Sequence, residues 1–172
     1  MKKMKRLAAV LLAGVMVLAM LTACGCGSST PTSDVEKAEA LYMDIYNAVL
    51  DAEYKNDADL KVQAKRLLED SLDEDGKLKS GKKMIDTKYE GITAWTTFTI
   101  LAQPGNENVP YGITSKELAT ELANKDATIA KIKEDLGSYR LNLMKTTTTD
   151  LAVGAVKKGD KIYVAIAMKT KK

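Results

Sequence analysis

Lys2, Lys3, Lys5 and Arg6 precede an uncharged run of seventeen residues from Leu7 to Ala23, which closes on Leu21-Thr22-Ala23-Cys24. A cationic start, an apolar centre and small residues before a cysteine form the pattern of a lipoprotein signal peptide, whose removal makes the cysteine the new first residue. Seventeen residues is at the short limit for a helix that spans a bilayer, which favours cleavage over retention. A diacylglycerol thioether on Cys24, with a further acyl chain on its amine in some bacteria, supplies the chains that stable anchoring needs. The expected location is the cell membrane, anchored through Cys24 and facing the extracytoplasmic side. Residues 1–23 read as signal peptide, 24–33 as lipidated tether and 34–172 as a single domain.

This processing constrains the fold. Cys24 and Cys26 are the only cysteines. With the first consumed by lipid, no disulfide can staple the domain, so about 140 residues must build an ordinary apolar core. Cys26 stays as an odd thiol in a Gly-Ser linker. Loss of the four N-terminal cations takes the 26 basic residues to 22 against 23 acidic ones, so the net charge of +3 becomes about −1. No basic stripe interleaved with aromatics is visible, and nucleic acid is not an expected partner.

Gly25 to Ser33 carries Gly, Ser, Thr and Pro without apolar period and reads as the tether. Ser33 and Glu36 form a capping box for a helix whose Val35, Ala38, Tyr42, Ile45 and Val49 share a face through about Asn56. Asp57 caps a second helix, to about Ser71, that buries Leu60, Ala64, Leu67 and Leu68 and leaves Lys61, Lys65, Arg66 and Glu69 to water. The polar segment from Asp73 to Lys83 reads as a surface loop. Aligned as a calcium loop on Gly76, it puts Lys82 where the bidentate Glu belongs, so calcium is not expected.

From Gly91 to Leu101, threonines alternate with apolar residues as in a strand, Phe98 and Ile100 on one face and Trp95, Thr97 and Thr99 on the other. Thr114 and Glu117 cap a third helix, which Asp126 restarts or continues and Gly137 stops. Leu151–Val156 and Lys161–Met168 flank a Lys-Lys-Gly-Asp turn and predict a β-hairpin. Helices on a three-stranded antiparallel sheet make an α+β domain, a three-layer α-β-α sandwich.

Three segments in order resemble the CAP superfamily, the domain of cysteine-rich secretory, antigen 5 and pathogenesis-related proteins. Asn106-Glu107-Asn108 before Gly112 and Thr114–Leu118 is similar to its Gly-Glu-Asn segment. Ser138 to Met144 resembles the segment that carries its later histidine and a following Asn, and Leu151 to Ala167 resembles its closing hairpin. Leu60, Ala64, Lys65 and Arg66 resemble its early helix, so the likeness spans about residues 41–168. It implies a CAP-like sandwich with Glu107, Asn108, Tyr139 and Asn142 lining one cleft.

The family often gathers two histidines and two acids there, sometimes with zinc, but this chain contains no histidine. Tyr139 stands where the later histidine falls, the earlier one falls around Asp86 to Tyr89, the second acid falls near Lys125, and Glu107 alone survives. One carboxylate does not make a zinc site, so no metal or cofactor is expected. Lack of imidazole also removes the usual general base and the Ser-His and Cys-His nucleophile pairs. The expectation is a non-catalytic, membrane-anchored domain that binds an envelope lipid or glycan, a small apolar ligand or a protein. The alternatives are a structural or assembly lipoprotein of another α+β fold and a histidine-free, carboxylate-based hydrolase.

Overall fold

Ser33 Oγ accepts from the Glu36 amide at 3.2 Å while Glu36 Oε2 accepts from the Ser33 amide at 3.0 Å, and this reciprocal cap starts the first helix, α1 (Asp34–Leu50). The structure, a computed structural model, describes residues 33–172; the signal peptide, Cys24, Cys26 and the tether up to residue 32 lie outside the described residues. α1 stops at Asp51, which takes a left-handed φ of 50°, short of the expected Asn56. The Asp57 side chain accepts from the Leu60 amide at 2.9 Å to open α2 (Ala58–Ser71). Then follow β1 (Ile85–Tyr89), β2 (Ala94–Ile100), β3 (Ala102–Gln103), β4 (Asn106–Pro110), β5 (Gly112–Thr114), α3 (Ser115–Ala123), α4 (Lys125–Thr147), β6 (Thr148–Lys158) and β7 (Lys161–Lys171). Gly137 breaks α4 with a φ of 67°, but the chain re-enters a helix up to Thr147, where the sequence predicts a stop.

β7 is the hub of the sheet. It pairs with β6 along one edge and with β2 and β5 in succession along the other, while β1 lies outside β2, all antiparallel. Its side chains alternate between two cores. Ile162, Val164 and Ile166 pack with Leu41, Ile45 and Val49 of α1 and Leu118 of α3. Tyr163, Ala165 and Ala167 pack with Leu60, Ala64 and Leu68 of α2 and with Phe98 and Ile100 of β2. Helices thus cover both faces of a mainly antiparallel sheet, the α+β arrangement that the sequence predicts. Five strands stand where three are expected, because β1 is mostly exposed with two charged side chains and β5 spans three residues. The short β3–β4 pair forms a separate hairpin.

β6 is an edge strand, and its outer edge is closed by the chain between α1 and α2. Asn56 donates to the Val153 carbonyl and accepts from the Val153 amide, both at 3.0 Å, and the Asp57 amide donates to Leu151 O at 3.3 Å. One turn along, Glu39 of α1 accepts from the Ala155 amide at 3.1 Å. Lys61 and Lys65 are therefore not simply solvent-facing: both reach around the edge to Glu39, at 2.5 and 2.9 Å. α2 lies so close to β6 that a Cβ on Gly154 would stand 2.8 Å from the Lys65 amide nitrogen and 2.9 Å from Lys61 O.

Gly154→Ala is expected to push α2 off the strand at a cost of about 1–3 kcal/mol. Asn56→Ala leaves the Val153 pair unmet and is expected to cost a similar ~1–3 kcal/mol. Denaturant unfolding checks both, and midpoints equal to that of the parent chain would show that the edge closure is not needed.

Candidate functional site

The four residues expected in one cleft do not gather around one groove. Glu107 and Asn108 are exposed on β4, which leads into β5 against the Lys161–Tyr163 end of β7. Tyr139, 81% exposed, and Asn142 belong to the part of α4 that feeds β6 at Thr148, opposite Thr170 at the other end of the same β6–β7 hairpin. Trp95 is half-buried on β2, on the face shared with Thr97 and Thr99. Among the described residues, no three of His, Cys, Asp and Glu stand where they could share a metal ion.

Of the four, Asn108 lines a groove of about 420 Å³ between the β3–β4 hairpin, the loop after α2 and the start of β7. Tyr111 and Glu117 stand at its wall. Behind them a tyrosine cluster fixes α3 on α1: the Tyr42 hydroxyl donates to Glu121 Oε2 at 2.5 Å, and the Tyr111 hydroxyl shares that carboxylate. Burial, then the Glu121 bond, holds the Tyr42 and Tyr111 hydroxyls well above the usual tyrosine range. Burial alone pushes Tyr46 up to about 12. The Tyr42–Glu121–Tyr111 bonds brace α3 against α1.

The larger groove, about 520 Å³, lies between α2 and β1. Gln63, Arg66, Leu67 and Asp70 recur at helical spacing along one stripe of α2, next to the stripe that buries Leu60, Ala64 and Leu68. Opposite stand Asp86 and Lys88 of β1, with Gly81, Lys82 and Lys83 from the loop before it. Phe98, 1% exposed, closes the floor. Lys88 lays its ammonium 5.0 Å from the Phe98 ring centre and 3.3 Å from Gln63 Oε1. Arg66 and Asp70 thus face Lys82, Lys83, Asp86 and Lys88 across one concavity, and none of the six forms an ion pair within the described residues. The surplus of cation in this concavity suits an anionic ligand. Sequence reading leaves Arg66 to water and Lys82–Lys83 in a loop, since nothing in it marks β1 as the opposing wall.

Comparison with protein-family models, with curated proteins and with solved structures gives no match to this chain.

The tyrosine cluster sets an alkaline limit. Raised folded-state values mean that stability is whole below the ordinary tyrosine value of 10.0 and falls as pH rises past it, because the unfolded chain ionises first. Thermal unfolding from pH 8 to 12 is expected to show this decline. Tyr42→Phe is expected to lose about 1 kcal/mol at neutral pH and to flatten the alkaline slope.

Proposed function

We propose that the chain is a lipid-anchored, extracytoplasmic binding protein whose folded domain is non-catalytic, CAP-like and holds a phosphate-bearing component of the cell envelope. The address rests on Leu21 to Cys24 after the cationic start. The family likeness rests on the order of its three segments and on the closing hairpin, whose β7 is the hub of the sheet. The observation that carries the ligand class is the α2–β1 groove, where Arg66, Lys82 and Lys83, which form no ion pair among the described residues, surround Leu67 above the buried Phe98. A guanidinium beside two ammoniums grips phosphate oxygens through charge-assisted hydrogen bonds. The cleft implied by Glu107, Asn108, Tyr139 and Asn142 has no part in this reading.

A second reading, a carboxylate-based hydrolase, has one observation in its favour: Asp70 and Asp86 line the same groove. Asp86→Asn separates the two, since it abolishes hydrolysis but strengthens or spares the binding of an anion.

Titration of the anchored chain with inorganic polyphosphate and with vesicles of phosphatidylglycerol tests the ligand class. The expected result is saturable binding to one of them that weakens about ten-fold in Arg66→Ala/Lys83→Ala and falls steeply with salt. Binding to neither, or binding indifferent to both substitutions, would remove the groove as the site.

A further inference from the structure

β1 ends the sheet: β2 pairs with it on one side, and among the described residues no strand lies on the other. The direction of its backbone is fixed by two bonds. Glu90 N donates to Ala94 O and Ile100 N donates to Met84 O, each at 2.8 Å, so the even-numbered residues of this segment exchange hydrogen bonds with β2. In an antiparallel ladder the intervening residues face away. Ile85, Thr87 and Tyr89 therefore hold their amides and carbonyls outward, in a row ready to accept another strand. Ile85 is 55% and Tyr89 79% exposed. The contrast with β6, whose corresponding groups are met by Asn56, Asp57 and Glu39, is sharp.

Edge strands are commonly protected by charges that repel a copy of themselves. Asp86 and Lys88 do the opposite. When Ile85–Tyr89 runs antiparallel to a second copy with Thr87 opposite Thr87, each Asp86 falls opposite a Lys88, and each Ile85 opposite a Tyr89. The neighbouring registers are disfavoured by the same charges, since a centre on Asp86 sets carboxylate against carboxylate and a centre on Lys88 sets ammonium against ammonium. At the favoured centre the outward amides of Ile85, Thr87 and Tyr89 all meet carbonyls within the same strand of the copy.

We propose that β1 is a homodimer edge, at which two copies of this chain join their sheets antiparallel about a twofold axis at Thr87, held by Asp86–Lys88 and Ile85–Tyr89 cross-strand pairs. The interface is isologous, so it closes at two copies and leaves no free β1 edge to propagate. Opposite-charge and aromatic–aliphatic pairs directly across strands are the contacts that stabilise such a junction. Asp86 and Lys88 also line the α2–β1 groove, so pairing sets the grooves of the two copies beside each other across the axis. This inference does not depend on what the groove holds.

Resonance energy transfer between differently labelled copies of the anchored chain in detergent micelles provides the test. The parent chain is expected to associate in a concentration-dependent, saturable way. Asp86→Lys and Lys88→Asp are each expected to weaken self-association about ten-fold or more, because both cross-strand pairs become repulsive. Mixed together, the two single variants are expected to associate with each other, since the paired ammoniums of one strand then meet the paired carboxylates of the other; the doubly exchanged chain is expected to self-associate again. Thr87→Pro, which removes the amide on the axis, is expected to abolish association. Circular dichroism and unfolding midpoints near those of the parent would show that the variants are folded. A parent chain that stays monomeric, association that ignores the charge variants, or single variants that fail to recover on mixing would each overturn the proposal.

Discussion

The Glu39 carboxylate, 3% exposed, joins three parts of the molecule that the chain otherwise holds in separate layers. It rises from α1 on one face of the sheet, caps the Ala155 amide at the edge of β6, and takes the ammoniums of Lys61 and Lys65 from α2 on the other face. A buried carboxylate without partners is strongly unfavourable, and removal of one partner from such a group costs more than the group contributes when whole. The two lysine side chains stay 32% and 34% exposed, so their own desolvation is incomplete. The approach of α2 to β6 is in turn set by Gly154, where only a residue without a side chain lets the helix backbone come near. Charge, hydrogen bond and close packing thus fix the same strand edge.

Helices and the closing hairpin were legible because their signals are local. Both capping boxes lie in the sequence as Ser33–Glu36 and Thr114–Glu117, and both form. Thr96, Phe98 and Ile100 alternate with Trp95, Thr97 and Thr99, and the buried set is the former. Glu39 was not legible: its position beside Ala38 and Tyr42 reads as the margin of a helix face, and its burial follows from how α2 folds back over β6. β1 was missed for a related reason. Asp86 and Lys88 point to the face whose core is supplied by α2 and β2, and Ile85 and Tyr89 to solvent, so the segment lacks the apolar alternation that marks a half-buried strand.

The same distinction separates the expected site from the grooves. Glu107, Asn108, Tyr139 and Asn142 are tied together only by resemblance to a pattern whose histidines are absent here, and the fold carries the two pairs to opposite ends of the β6–β7 hairpin. Arg66 and Asp86 stand across one groove despite their separation in sequence, because β1 extends the sheet beside β2 while α2 packs on the same face, with Phe98 of β2 at the groove's floor. A site assembled across elements carries no spacing signature, whereas a motif on one loop does.

The two edges of the sheet show how a small sheet can be finished in two ways. At β6, side chains imitate the missing strand: the Asn56 amide meets Val153 as a backbone amide would, and an ionic pair covers the next position. That solution meets the Leu151 carbonyl, both Val153 groups and the Ala155 amide from within the chain. At β1 the backbone is left open, and specificity is delegated to Asp86 and Lys88, whose order along the strand is complementary to its own reverse. Exchanging the two residues preserves that complementarity, whereas making both the same sign destroys it. Edge recognition in this chain is therefore a property of charge order, not of charge content, and a composition-based reading cannot see it.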